Sequence, residues 1–281
     1  MTDSGSTTVS IDRHGPFHCR LTSDRIAAYA AVTGDRSAAV SAGRAVPAVY
    51  PVTEVFDAQA AANGDLPAQV WHEAIGGVHG EHDLVVHRPL SHGESLESWS
   101  EITSIRSARP GTRVVLHIEQ FDTGGRLVVE QWWTTLLLGV RCLADHGSAP
   151  RDHHFPDTAR GNPLGSATQY VDSEVTTRYA EISGDWSAHH FELDAARSTG
   201  FDYLFTHGLW TMGVCARGVL DVIGVDDPGR VRRVAVRFAS PTPLGSDLTI
   251  SVYGIDPRTF AFEAAANAEL RITQGRLELR S

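Results

Sequence analysis

The chain has 281 residues, and its 34 acidic against 24 basic side chains leave a net charge of −10. The 42% hydrophobic content suffices for a packed core and excludes wholesale disorder. The acidic balance suits a phosphate backbone poorly, so no nucleic-acid partner is expected. All 24 basic residues are arginine, which excludes a Schiff base, an internal pyridoxal phosphate linkage and a P-loop lysine.

In chain order, Met1–Gly15 shows neither the basic nor the apolar segment of a secretory signal. Asp24–Val32 reads as a helix capped by Ser or Thr. A second helix is expected over Pro51–Ala62, with proline at its start. Strands follow at Leu84–Val86, Leu96–Ile105, Arg113–Phe121 and Arg126–Leu138, rich in β-branched and aromatic residues. Arg109-Pro-Gly111 and Asp122-Thr-Gly-Gly125 read as the turns between them. The polar stretch Ala144–Gly165 reads as a linker, with 146–165 taken as its bounds. Beyond it come a helix at Glu174–Ile182 and an almost wholly apolar helix at Gly208–Ile223, expected to be buried. Strands at Val231–Phe238, Leu248–Ile255, Thr259–Ala266 and Ala268–Thr273 complete the chain. No apolar run approaches the roughly 18 residues that a membrane span needs, so no membrane partner is expected.

Two passages repeat. Tyr29-Ala-Ala-Val-Thr-Gly-Asp35-Arg-Ser-Ala38 returns 150 residues later as Tyr179-Ala-Glu-Ile-Ser-Gly-Asp185-Trp-Ser-Ala188, with six of ten positions identical. Pro89-Leu-Ser-His-Gly93-Glu-Ser-Leu96 returns as Pro241-Thr-Pro-Leu-Gly245-Ser-Asp-Leu248, at an offset of 152. Two echoes in register imply two copies of one unit, residues 1–145 and 166–281. Each copy is a helix followed by antiparallel strands, an α+β layer with the sheet wrapping the helix.

The densest polar cluster is Ser183-Gly184-Asp185-Trp186-Ser187-Ala188-His189-His190. A carboxylate and an imidazole five residues apart across a glycine turn can face one cleft, and imidazole suits proton transfer near neutral pH. By itself this spacing is weak, because a turn with capping polar residues looks the same. Together with Phe205-Thr-His207-Gly208-Leu-Trp-Thr-Met212-Gly213, however, Tyr179-x3-Ser183-Gly184-Asp185-x-Ser187-Ala188-x-His190 resembles the MaoC-like (R)-specific enoyl-CoA hydratase family, hydratase 2. That resemblance implies the hotdog fold in tandem: a long helix wrapped by an antiparallel sheet, made twice. It implies Asp185 and His190 as the catalytic pair that hydrates a trans-2-enoyl thioester or dehydrates an (R)-3-hydroxyacyl thioester. A backbone N–H near Gly208 would bind the thioester oxygen, with Ser187, His189 and His207 as secondary candidates. It implies no metal and no cofactor, the substrate bringing its own phosphopantetheine on coenzyme A or on an acyl carrier protein. Ser187, Ala188 and His189 depart from the family's Asn-Pro-apolar run, and His189 opens the question of which histidine faces the cleft.

The first copy keeps Asp35 but has Val40 where His190 would fall. It reads as a degenerate half that gives room to an acyl chain. Alternatives are a hotdog acyl thioesterase and a non-catalytic acyl-binding subunit. Elsewhere, His79-x2-His82 lacks the H-E-x-x-H helix of a zinc site. Cys19, Cys142 and Cys215 stand too far apart for a thiolate site or disulfide framework. Trp132-Trp133 reads as packing. Arg230, Arg232, Arg233 and Arg237 form a basic patch, either a solvated strand face or a contact for phosphate or an acidic carrier protein. The expected setting is cytoplasmic, as a monomer or homodimer.

Overall fold

The computed structural model describes residues 7–148 and 151–281. The N-terminal copy runs β1 (His14–Arg20), α1 (Ser23–Thr33), α2 (Ala38–Ser41), a 3-10 segment Tyr50–Glu54, α3 (Phe56–Asn63) and α4 (Ala68–Glu73). It then forms β2 (Gly76–Val86), β3 (Ser95–Ser107), β4 (Gly111–Asp122), β5 (Leu127–Leu138) and the short β6 (His146–Gly147). The C-terminal copy runs β7 (Pro163–Val171), α5 (Val175–Ser183), a 3-10 turn Ala188–His190, α6 (Leu193–Ser198) and α7 (Gly208–Val222). Its remaining strands are β8 (Val231–Phe238), β9 (Ser246–Asp256), β10 (Thr259–Ala266) and β11 (Glu269–Leu279).

The strands form one antiparallel sheet in the order β1-β3-β4-β5-β2-β8-β11-β10-β9-β7, with β6 beside β3. Apart from β6, each strand has its counterpart at the mirrored place: β1 with β7, β3 with β9, β4 with β10, β5 with β11. The junction is β2 against β8, in the register Glu81↔Arg237, Asp83↔Ala235 and Val85↔Arg233. The repeat read from the sequence is therefore a two-fold relation about this pair.

β1 and β7 carry no clear apolar alternation, and both lie at sheet ends with most side chains outside the core. An edge strand needs only one pairing face and little burial, so its composition does not announce it. The stretch taken as a linker is not bare chain. It contains β6, a 3-10 turn at Asp157–Gly161 and the start of β7. Phe155 is buried there, and Gln274 anchors it by accepting its backbone N–H at 2.5 Å.

α7 is the central helix, buried along nearly its whole length. Its N-terminal counterpart is not one helix. Pro51 opens a run of β-branched residues, Val52, Thr53 and Val55, that resist an α-turn. Thr53 Oγ1 donates to the Tyr50 carbonyl at 2.9 Å, and Tyr50 Oη to Glu54 Oε1 at 2.5 Å. These bonds hold a 3-10 turn, and the regular helix begins only at Phe56. The helices before the Gly-Asp turns stop as expected, with Gly34 and Gly184 left-handed at φ 72° and 79°. No side-chain cap bond forms at the start of either.

The basic patch is half solvated, with Arg230, Arg232 and Arg237 exposed, but three of its four arginines are paired with carboxylates. Arg233 is buried and grips Asp83 with Nε and Nη2 at 2.8 and 2.6 Å. Arg237 Nε donates to Glu81 at 2.8 Å, and Arg232 pairs with Glu278. Arg233 and Arg237 reach carboxylates on β2 and so tie the two copies together, whereas Glu278 lies on β11 of the same copy as Arg232. No helix among the described residues is long and apolar enough to cross a membrane.

Candidate active site

A cavity of about 420 Å³ opens between the copies at the N-terminal end of α7. Asp185, Ser187, His189, His190, His207 and Gly208 all line it, so every residue singled out for chemistry meets in one place. The Gly184 turn positions Asp185. Its Oδ1 accepts the Ser187 backbone N–H at 3.1 Å and the Ser187 hydroxyl at 2.5 Å. Ser187 thus holds the carboxylate, and Oδ2 is left toward the two histidines.

His190 ends the next turn and is 6% exposed. Its Nδ1–H donates to the Phe205 carbonyl at 3.1 Å. A carbonyl can only accept, so this bond fixes the tautomer and puts the lone pair of the neutral ring on Nε2. Nε2 stands 4.0 Å from Asp185 Oδ2. His207, the residue before α7, also stands 4.0 Å from that oxygen, and its Nε2–H donates to the Asp185 carbonyl at 2.9 Å. The His190 and His207 rings lie 3.8 Å apart. His207 therefore clamps the Asp185 turn and leaves its own buried Nδ1 without a partner.

His189 does not point away. Its Nε2 lies 3.1 Å from His190 Nε2, and its ring stacks on Phe205. Both histidines face the cleft. The His190 lone pair can only accept, so His189 Nε2 carries the proton of this contact.

Burial lowers the pKa of His190, helped by the neighbouring His207 and His189, against the pull of Asp185. Burial lowers His189 and His207 as well. Burial pushes Asp185 up, but the Ser187 hydroxyl, His207 and His190 outweigh it and hold the carboxyl below its ordinary value. The resting state is one carboxylate among neutral imidazoles.

α7 supplies the electrophilic side. Its first intrahelical bond runs from Thr211 N–H to the His207 carbonyl at 3.1 Å. The N–H groups of Gly208 and Leu209 precede it, at the positive end of a long buried helix. A side chain at Gly208 would press on Phe238, 3.1 Å from a built Cβ, so glycine keeps this end open.

Asp185, His190 and His207 bring one ligand-type atom each within 4.8 Å of one another, as do His117, Glu119 and Glu130 on the sheet. In the first group His207 Nε2 is committed as a donor to a backbone carbonyl. In the second, His117 and Arg13 already pair with Glu130 and Glu119. His79 and His82 are joined ring to ring at 3.3 Å.

The first copy's cluster is different. Asp35 Oδ1 accepts the Ser37 N–H at 3.0 Å, the same turn bond as in the second copy. Val40 is buried where the histidine would be, and Arg217 stands 3.7 Å from Asp35. The first copy instead supplies cavity wall: Phe56, Trp71, His79, Trp133 and Thr135. Sequence reasoning gave none of these a place at the site. Their nearest signal was Trp132-Trp133, of which only Trp133 faces inward, while Trp132 stacks on His117.

A family model described as MaoC like domain matches residues 156–261, from the approach to β7 into β10 of the C-terminal copy. The chain is 23% identical over 216 residues to a probable enoyl-CoA hydratase 2 of Dictyostelium discoideum, covering 73% of each. It is 28% identical over 221 residues to 3-hydroxyacyl-thioester dehydratase X of Mycobacterium tuberculosis, covering 78% of this chain and 72% of the relative. It is 29% identical over 177 residues to the peroxisomal multifunctional enzyme type 2 of Drosophila melanogaster, covering 63% of this chain but only 29% of that longer protein. In fold it is similar to a MaoC-like dehydratase from Phytophthora capsici, with a TM-score of 0.80, 18% identity and 97% and 96% of the two chains covered. It is also similar to a double-hotdog protein of M. tuberculosis, with a TM-score of 0.60, 14% identity and 99% and 98% covered. The architecture is the tandem hotdog.

Proposed function

We propose that the protein is a hydro-lyase that interconverts trans-2-enoyl and (R)-3-hydroxyacyl thioesters, with Asp185 and His190 as its acid–base pair. The convergence of Asp185, His190 and the open end of α7 in one cavity carries this reading. In hydration, the reacting water takes the place of the His189 N–H at His190 Nε2, and its oxygen bonds to C3 while its proton passes to that nitrogen, whose tautomer the Phe205 carbonyl has set. Asp185 orients the water and stabilises the imidazolium that forms. The C2–C3 π pair moves toward C1, and the enolate-like oxygen meets the backbone N–H groups at Gly208. Return of the proton to C2 completes the addition. No proton is gained or lost, and dehydration is the same path reversed.

The substrate class is an acyl thioester, and coenzyme A and an acyl carrier protein both present the phosphopantetheine arm this cavity would take. Two features support hydration over thioester hydrolysis: the tautomer-fixed imidazole beside an ionised carboxylate, and the helix end facing both. The test is the loss of enoyl-thioester absorbance with crotonyl-CoA. His190→Ala is expected to abolish it, lowering kcat about 100- to 10,000-fold, the usual worth of a general base. Full activity in that variant overturns the site, and release of free thiol by the unmodified enzyme overturns the reaction.

A further inference from the structure

The first copy does more than wall the cavity: it also reaches the turn that carries Asp185. Two bonds shape this turn from within. Ser183 Oγ accepts the Asp185 N–H at 3.2 Å, and Asp185 Oδ1 accepts the Ser187 N–H at 3.1 Å. Both are local, so they fix the shape of the turn and not its place. Packing adds nothing at its glycine, since a Cβ built on Gly184 would meet no atom within 4 Å. Bonds arriving from elsewhere are left to hold the turn where it stands.

One of these is the His207 Nε2–H on the Asp185 carbonyl. A second comes from the other copy: Arg25 Nη2, on α1, donates to the Ile182 carbonyl at 2.7 Å. Ile182 is the penultimate residue of α5, three before Asp185. The last carbonyls of a helix have no intrahelical partner and lie at the negative end of its dipole, so a guanidinium suits them. Arg25 is itself held. Its Nη2 also stands 3.2 Å from Glu54 Oε1, and the Glu54 side chain is only 2% exposed. Glu54 accepts the Tyr50 hydroxyl as well, at 2.5 Å. A carboxyl so enclosed has one place to be, and it aims the guanidinium.

The repeat supplies a comparison. Val32 stands 150 residues before Ile182, at the same place in α1. Its carbonyl also receives a side chain from the opposite copy, the Trp210 Nε1–H at 2.8 Å. The donors are unlike, and the residue 150 after Arg25 is Val175. The two-fold relation of the copies therefore does not demand a guanidinium here. The charged clamp, backed by a buried carboxyl, stands at the turn whose aspartate faces the histidines.

We propose that Arg25 is a positioning residue: with Glu54 behind it, it pins the Ile182 carbonyl and keeps Asp185 in reach of His190 and His207. Asp185 Oδ2 stands 4.0 Å from both imidazoles, and a shift of about 1 Å at such a site is enough to cost much of the rate. The inference rests on the reading of Asp185 and His190 as the acid–base pair. It gives the first copy a part in catalysis without a catalytic residue of its own.

The experiment measures crotonyl-CoA hydration and the histidine nitrogen spectrum of the full chain. Arg25→Leu is expected to lower kcat about tenfold and to leave KM within about twofold, because Arg25 does not line the cavity. Arg25→Lys keeps a cationic donor for the carbonyl and is expected to recover most of the loss. Rates are referred to the folded fraction, read by circular dichroism, so lost protein does not imitate the effect. His207 gives a readout that needs no turnover. The Asp185 carbonyl holds its proton on Nε2, so its nitrogens should give the signals of that single tautomer, assigned by their absence in His207→Asn. In Arg25→Leu these signals are expected to move toward the tautomer average, and in Arg25→Lys to stay. Moved signals in a protein that hydrates no enoyl-CoA would sustain Arg25 and sink the hydro-lyase reading. An unchanged kcat or unchanged His207 signals in Arg25→Leu, or a loss that Arg25→Lys does not repair, overturns the proposal.

Discussion

Two turns of nearly the same sequence do different things. In both, an aspartate follows a left-handed glycine and its Oδ1 accepts an N–H from the serine two residues on, at 3.0 Å for Asp35 and 3.1 Å for Asp185. The local structure is the same. Their surroundings are not: Asp185 faces two neutral imidazoles and the end of a helix, while Asp35 faces the Arg217 guanidinium and a buried valine. The turn is scaffolding, and chemistry depends on what lies five residues further and on the helix opposite. This can be broken by removing each carboxylate in turn. Asp185→Asn is expected to lower kcat about 100-fold or more, on the scale of a lost acid–base partner. Asp35→Asn is expected to keep kcat/KM within a few-fold but to lower the thermal midpoint. It removes a partner of a guanidinium 9% exposed, and breaking such a pair costs about 1–3 kcal/mol when other partners remain. Equal losses of activity in both variants would refute the inequality of the copies.

The same contrast explains what the sequence made visible. The repeat, the Asp185–His190 spacing and α7 were legible because each is local: a motif, a five-residue interval, a continuous apolar run. The split of the first-copy helix at Val55 was hidden, because one β-branched run within a helical pattern decides it. The acyl-side wall was hidden for a different reason. Phe56, His79 and Trp133 come from three elements and meet residues about a hundred positions later, and no spacing encodes a contact across the β2–β8 junction. The bulge at Gly80, where the β2–β5 register slips between His79↔Thr135 and Glu81↔Thr134, is the sharpest case. Without it, His79 would face the other way, and nothing in Gly-Gly-Val-His-Gly-Glu-His says which residue is extra. The arginine patch misled because charge was visible while its acidic partners lay on other strands.

The two repeat tyrosines sharpen the comparison further. Tyr179 lies 5.0 Å from the His207 ring, at the site, whereas Tyr29 packs on the middle of α7. A Cβ at Gly213 would come within 2.4 Å of Tyr29 Oη. Alanine is the better helix former by roughly 1 kcal/mol, so propensity alone favours Gly213→Ala. The clash wins, because Tyr29 is fully enclosed and cannot swing aside. Gly213→Ala is expected to cost about 1–3 kcal/mol in chemical denaturation. Adding Tyr29→Phe removes the oxygen and should recover much of that. A double variant no more stable than Gly213→Ala alone would show that the tyrosine hydroxyl is not the obstacle.

The smallest expected effect concerns the two faces of the β2–β8 junction. Its inner face carries the neutral His82, hydrogen-bonded to Gln131 of the neighbouring β5, and its outer face carries charges. Burial pushes Glu81 up, yet His153, Arg237 and Arg113 together bring it down to about 2. A carboxyl with a depressed folded pKa contributes stability that is complete above its unfolded value, near 4.3, and fades as pH falls toward the folded one. Arg237 and Arg113 are 49% and 38% exposed, so solvent screens much of the attraction. About 1–2 kcal/mol is expected to remain. Denaturation of Glu81→Gln from pH 7 down to pH 2 should therefore show a smaller fall in stability than the wild type, the two curves drawing together below about pH 4. Other depressed carboxyls such as Glu278 titrate in both proteins and cancel in the difference. Parallel curves would mean that the outer face is held by shape and backbone pairing, and that its charges contribute no more to the seam than the neutral inner face does.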